Sequence, residues 1–307
     1  MKNERIISFN NEQKIRIDHY LTMQKIYPSR SQIKNLIADG RIQVNNSKIK
    51  PSYLLKNGDN IHLFPTEKKE IEINGEEIEL DIIHEDDCLI VINKSANMIV
   101  HPTGNIKSGT LVNAILFHCK DSLSGIGGML RPGIVHRLDK NTTGIMVIAK
   151  NNIAHLSLSK QIKDRKVVKK YLALVHGEVD SHSGTINAPI GRSLKNRKKM
   201  AVVEQNSKEA ISHFKVVKRY IGFTLLEVTL VTGRTHQIRV HLAYIGHPII
   251  GDPDYGYRKR TLDIDRQALH AYVLGFTHPL YKKYVEFKAP IPEDIQYLLQ
   301  SLVEKVD

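Results

Sequence analysis

Between positions 67 and 87 the chain carries ten acidic and two basic side chains, whereas the sequence on either side is strongly basic. Residues 1–66 hold 11 basic and 5 acidic side chains, and residues 88–307 hold 32 and 17. A break of this kind places a domain boundary near Pro65–Lys69, and 307 residues accommodate a small domain followed by a larger one. The acidic stretch is not featureless. Ile71 and Ile73, then Ile78, Leu80 and Ile82, alternate about Asn74-Gly75, which predicts a strand pair rather than a disordered acidic run.

The hydrophobic share of 41% and the charged share of 25% are those of an ordinary globular chain. No apolar run approaches the roughly 18–20 residues that span a bilayer; the longest are strand-sized, such as Gly144–Ala149. The N-terminus MKNERIISFNNEQ is too polar for the apolar stretch of a signal peptide. A soluble, cytoplasmic protein is therefore expected. The net charge of +13 attracts polyanions, and membranes, DNA and RNA all qualify. Cys88 and Cys119 supply neither a disulfide framework nor a zinc knuckle and are expected as small buried hydrophobes. There is no fixed-period repeat and no low-complexity tract.

Residues 15–64 read as one compact unit. Ser29 or Ser31 can cap a helix with Ile33, Leu36 and Ile37 on one face, and Gly40 stands where that helix should stop. RIQVNNSKI then has the rhythm of strand, Asn-Asn turn and strand, and Lys56-Asn57-Gly58-Asp59 turns into Ile61–Phe64. Arg30, Lys34 and Arg41 cluster on or beside the polar side of the helix. Each alone suits a solvated face; together, with the overall charge, they favour a phosphate-binding one. The segment resembles the αL RNA-binding motif first recognised in a ribosomal small-subunit protein, on Arg16-Ile17-Asp18, Ser29-Arg30-Ser31, Gly40-Arg41, Val44-Asn45 and Gly58-Asp59. The resemblance implies that the helix pair and its basic face hold structured RNA.

Leu89–Ile92 is an apolar strand candidate that enters the turn-rich loop NKSANMIVHPTGN. In GGMLRPGIVHRLDKNTTGIMVIAK, Gly133 and Gly144 bracket a strand-like IVHRL, and a second strand-like run, IMVIA, follows. Asp139 lies between the two runs, with Arg137 before it and Lys140 after it. Flanking cations favour a charged carboxylate. With no second carboxylate in the local segment, it suits a nucleophile or an electrostatic stabiliser better than half of an acid–base pair. A turn aspartate bonded to the amides of Asn141–Thr143 is the plainer local reading.

That segment is similar to the signature of the large-subunit ribosomal RNA pseudouridine synthases that carry an attached αL domain. VVKKYLALVHGEV, APIGRSLKNRKKMAVV, LVTGRTHQIRVHLAYIGHPIIGDPDYG and ALHAYVLGFTHP follow in the same order, and the likeness runs from Arg16 to about Leu299. It implies an α+β fold: a small N-terminal αL domain (15–66, after an extension over 1–14), an acidic linker and hairpin (67–80), and a larger mixed domain (81–304) on a bent antiparallel sheet. By the same resemblance Asp139 is the catalytic aspartate and Arg137 helps to extrude the target nucleotide and fill its place. Tyr171 packs against the uracil ring, and Arg239 pairs with the aspartate. The alternation in Gln237–Leu242 suggests a strand for Arg239. Departures are few. Asn141 and Thr143 stand where Asp and Ser are more usual, and Ser95 and Asn97 replace a common Pro and Gly; Asn tolerates left-handed backbone angles.

The implied reaction breaks the N1–C1′ bond of uridine, turns the base and forms C5–C1′. It is an isomerisation that needs no cofactor and no metal. The sequence has no GxxxxGK[ST], GxGxxG or HExxH motif, and His236 and His241, expected on a strand, are poorly spaced for zinc. Arg192, Lys195, Arg197, Lys198 and Lys199 form a basic arm expected to loop between strands and touch RNA, with Lys140, Arg234 and His236 as further RNA contacts. The expected partner is ribosomal RNA, in a monomer with no membrane association. Two alternatives stay open: a pseudouridine synthase acting on transfer RNA, and a non-catalytic RNA-binding assembly factor.

Overall fold

The computed structural model describes residues 5–24, 26–27, 30–64, 73–103, 106–119, 123, 132–257 and 261–305. The chain divides into two compact units, Met1–Glu70 and Ile71–Asp307.

The first unit contains β1 (Arg5–Phe9), β2 (Ile15–Arg16), α1 (Ile17–Met23), α2 (Arg30–Ala38), β3 (Ile42–Val44), β4 (Leu54–Leu55) and β5 (Asp59–Leu63). Its sheet has the order β1-β5-β3, and β2 pairs with β4. The stretch read as an extension thus supplies an edge strand, with Phe9 in the core. Ile33, Leu36 and Ile37 bury one face of α2 as their spacing requires. Helix α2 ends where Gly40 takes φ +69°, with its N–H on the Ile37 carbonyl and that of Arg41 on the Leu36 carbonyl. Ser29 lies outside the described residues. Asn45 and Asn46 both adopt positive φ, as a two-residue turn demands. The expected return strand reduces to a single bridge from Ser47 to Val44, because β3 takes β5 as its ladder partner.

The second unit contains β6 (Ile82–Glu85), β7 (Leu89–Lys94), α3 (Leu111–Cys119), β8 (Thr143–Ala149), α4 (Asn152–Lys163), β9 (Val168–His176), β10 (Ser183–Asn187), β11 (Ile190–Arg192), β12 (Met200–Val202), β13 (Ser207–Lys208), β14 (Ile211–Tyr220), β15 (Phe223–Leu230), α5 (Gln237–Tyr244), β16 (Leu269–Thr277), β17 (Tyr284–Lys288) and α6 (Glu293–Ser301). Among the described residues nine strands form one sheet in the order β10-β14-β15-β9-β16-β8-β7-β6, with β17 also on β16. It is not purely antiparallel: β16 and β8 run parallel at His270–Thr143 and Ala271–Gly144. Strand β16 pairs with β9 along one edge; along the other it meets β8 at its start and β17 further on, so it is the seam of the sheet. Cys88 and Cys119 are buried in this core.

The hairpin expected about Asn74-Gly75 is absent over 73–81, and Ile71 lies outside the described residues. The segment binds its surroundings instead. Glu76 N–H donates to the Asn113 carbonyl, the Asn113 amide donates to the Asn74 carbonyl, and Asn93 donates to the Asp81 carboxylate. A Cβ on Gly75 would stand 2.8 Å from the Phe117 nitrogen, so this glycine serves a close approach to α3 rather than a turn. IVHRL is likewise not a strand; only Ile134 bridges, to Ile148. A small sheet, β12-β11-β13, sits beside α5 through Ile190, Ala210 and Val240.

Candidate active site

One cross-strand row sets the level of the site. Tyr171 on β9 faces Ala271 on β16, Ala271 faces Gly144 on β8, and Gly144 faces Lys94 on β7. The loop that delivers the chain into β8 carries Asp139, held by the Thr142 N–H on the Asp139 carbonyl. Above the row opens a cavity of about 510 Å³, lined by Arg137, Asp139, Tyr171, Arg234, His236 and Arg239 among others. That volume lies within the range of small-molecule sites, about 300–1,000 Å³. A second cavity of about 280 Å³ is also lined by Asp139, together with Lys140, Pro253 and Asp254.

Asp139 does not bond the amides after it through its carboxylate. Its Oδ2 accepts from Arg239 Nη1 at 3.2 Å, and its Oδ1 lies 3.9 Å from His236 Nε2. The carboxylate is 20% exposed, while the Arg239 side chain is only 5% exposed. Arg239 comes from helix α5, not from a strand. The period-2 pattern of Ile238, Val240 and Leu242 misled because every residue from Gln237 to Leu242 is buried, so exposure carries no helical rhythm. His236 closes the N-terminus of α5 in a left-handed conformation (φ +56°), a strained state for a non-glycine residue that aims its ring into the site. His241, also helical, is committed to Ser212 Oγ and the Ala188 carbonyl.

Sequence reasoning missed the residues that hold Arg239. Asp252 binds it through two 2.7 Å bonds and Asp254 through one of 3.0 Å. Its guanidinium also lies over the Tyr255 ring, 5.1 Å from the centroid. Burial alone would disfavour the Arg239 charge, but the bonds to Asp252 and the surrounding carboxylates raise its pKa above the ordinary range. Tyr255 accepts from the Met200 N–H and is hydrogen-bonded to His236 Nδ1. Burial lowers the His236 pKa against the opposing pull of Asp139. Burial, with the charge of Asp139, raises the Tyr171 phenol above its usual range, so this residue is neutral at pH 7.

Lys94 was also missed, and nothing in its local sequence marks it. Almost wholly buried, its ammonium donates to the carbonyls of Ser95, Met98 and Lys140, tying the loop after β7 to the loop of Asp139. Burial, with Arg266 nearby, lowers its pKa to about 7, partly offset by Asp139. Asn97 in the same loop takes φ +63°, the left-handed angle that Asn tolerates.

The remaining cations fall into groups. Arg137 is exposed at the cavity rim, with Nη1 3.4 Å from His101 Nε2, and Lys140 is exposed next to Asp139. Arg234 lines the cavity and donates to the Glu209 carbonyl. Arg192 ends β11, and Lys195, Arg197 and Lys198 are exposed in the loop to β12. Lys199 folds back onto the Asp254 carbonyl and over the Tyr255 ring. In the first unit Lys34 is exposed and Arg41 half-buried, and Arg30 is paired with Asp18 at 2.7 Å.

Residues 88–244 match the family described as RNA pseudouridylate synthase, and residues 15–61 match the S4 domain. An uncharacterized RNA pseudouridine synthase of Bacillus subtilis (strain 168) is 48% identical over 297 residues, covering 96% of this chain and 97% of the relative. The ribosomal large subunit pseudouridine synthase D of Zymomonas mobilis is 41% identical over 298 residues, covering 94% of each. The solved structure of human RNA pseudouridylate synthase domain containing 1 shares the fold at a TM-score of 0.58 and 24% identity, covering 78% of this chain and all of that one. This chain belongs to the RNA pseudouridylate synthase family. It is an enzyme that isomerises uridine in RNA, with an S4 domain at its N-terminal end. No helix among the described residues is long and apolar enough to cross a membrane.

Proposed function

We propose that the substrate is large-subunit ribosomal RNA and that Asp139 carries the chemistry. The observation that carries this reading is the Asp139–Arg239 contact at a nucleotide-sized cavity, with Tyr171 in the same wall. The name of the Zymomonas relative favours ribosomal over transfer RNA, and a mere RNA binder has no need of the buried carboxylate–guanidinium arrangement.

Lys34 and Arg41 of the first unit, together with the arm of Arg192, Arg197 and Lys198, grip RNA phosphates. The target uridine leaves its stack at a cost of about a few kcal/mol, and Arg137 at the rim fills the vacated space. Stacking on Tyr171 returns about 1–3 kcal/mol. Asp139 then either attacks C1′ or assists loss of the base with deprotonation at C2′. In either route Tyr171 acts as a packing surface, because a phenol with a raised pKa is a poor proton acceptor at pH 7. In this reading the enzyme acts as a monomer in the cytoplasm.

Carbodiimide mapping of pseudouridine in ribosomal RNA from cells with and without the gene tests the substrate. Sites should vanish with the gene and return with the parent chain but not with Asp139→Asn, while that variant binds RNA within a few-fold of the parent. Sites that persist without the gene, or full rescue by Asp139→Asn, would defeat the reading.

A further inference from the structure

When N1–C1′ breaks, the bonding electron pair leaves with the base. Uracil becomes an anion spread over N1, O2 and O4 until C5 returns the pair to C1′ and the C5 proton is lost. A cavity that supports this step needs a positive charge facing the base, because a developing charge in a water-poor site is stabilised only by groups already in place. Arg239 cannot serve, since Asp252, Asp254 and Asp139 already share it.

Strand β9 supplies another candidate. Alternate residues of a strand face the same side, so Lys169 and Tyr171 point together into the cavity, and both line it. Lys170, between them, faces the other side and pairs with Glu227 at 3.3 Å. Lys169 Nζ reaches across to the Gly233 loop, 3.7 Å from where a Cβ on that glycine would stand. Among the described residues no carboxylate lies within ion-pair distance of it, although Arg165 beside the same cavity is paired with Glu209. Lys169 is half-buried, and that desolvation lowers its pKa below the ordinary value, as befits a charge without a counter-charge.

We propose that Lys169 is a further catalytic residue, whose ammonium faces a uracil carbonyl and takes up the charge that develops as the glycosidic bond breaks. The lysine keeps its proton throughout: either Asp139 bonds C1′ and is displaced when C5 attacks, or the Asp139 carboxylate takes the C2′ proton and returns it as C5 bonds to C1′, and the C5 proton passes to water. The inference rests on the reading of Asp139 and this cavity as the reaction site, and it holds for either route.

Single-turnover kinetics of the full chain on unmodified large-subunit ribosomal RNA provide the test, with RNA affinity measured alongside. Lys169→Met should lower the rate at saturating protein by about 100-fold, the scale for removing one donor aimed at a developing charge. Its Kd for RNA should stay within threefold, which also reports that the variant is folded. Lys169→Arg should recover at least tenfold of the lost rate. A Met variant within threefold of the parent would overturn the proposal, as would a loss confined to Kd with the saturating rate intact, which marks a phosphate grip. Pseudouridine formation by the parent tests the substrate reading alone; the variant-to-parent ratio tests the lysine.

Discussion

Arg239 grips Asp252 through two hydrogen bonds of 2.7 Å but reaches Asp139 through a single one of 3.2 Å. Asp252 is fully buried and also accepts the N–H groups of Asp254 and Tyr255. The guanidinium is therefore a fixed feature of the protein, and Asp139 is the group that leans on it. Arg239→Met should leave Asp252 as an uncompensated buried charge and destabilise the fold by about 3–5 kcal/mol, seen in urea denaturation. Asp252→Asn keeps the shape, and Asp254 and Asp139 still neutralise the arginine. That variant should remain folded yet lose about 100-fold in single-turnover rate through misalignment, with RNA affinity unchanged. A normal rate would mean that Asp252 does not position Arg239.

The seam of the sheet makes a sharper structural demand. Gly144 has φ +118°, and a Cβ there would stand 2.1 Å from the Ala271 carbonyl oxygen. The backbone angle and the overlap act together, each on the scale of about 1–3 kcal/mol. Gly144→Ala should therefore destabilise by more than about 3 kcal/mol and move the loop of Asp139, which enters β8 there. Thermal unfolding of the variant checks this, and an unshifted Tm would contradict the register of β8 on β16.

These two cases show what the sequence could convey. Asp139, Tyr171 and Arg239 were legible through resemblance, and the helix stop at Gly40 and the turn at Asn45-Asn46 through local chemistry. What escaped was set at long range. Helix α5 is buried all round, so its alternation imitated a strand. The strap 73–81 alternates because it lies extended on its neighbours, not because it pairs with itself. Lys94 and Asp252 gain their roles only when loops far apart in sequence meet.

The loop after β11 divides its cations between two tasks. Arg197 and Lys198 are exposed, as is Arg192, which also donates to the Arg197 carbonyl, whereas Lys199 is tied to Asp254. Alanine at Arg192, Arg197 and Lys198 together should weaken RNA binding and reduce the slope of log K against log salt by about 2–3, at roughly 0.7–0.9 per phosphate contact. The rate at saturating RNA should not change. Filter binding across a potassium chloride series separates this from a solvated loop, for which the slope stays put.

His270 couples the seam to pH. Its ring is buried on β16 and hydrogen-bonded through Nδ1 to Thr143 Oγ1 on β8. Burial, with Arg266 nearby, lowers its pKa from an ordinary 6.5 to about 4. Between those values the unfolded chain binds a proton that the folded chain refuses, so stability falls as the pH falls through that window. The contribution is complete above about pH 6.5 and lost below about pH 4, on the order of 3 kcal/mol in all. Urea denaturation of the parent should weaken between pH 7 and pH 4.5 by more than that of His270→Gln, which carries no titrating ring. Because Thr143 lies four residues after Asp139, activity should decline over the same interval, reversibly and with the parent's RNA affinity retained to lower pH than its turnover. Identical pH slopes for parent and variant would show that this histidine does not set the acid limit of the fold.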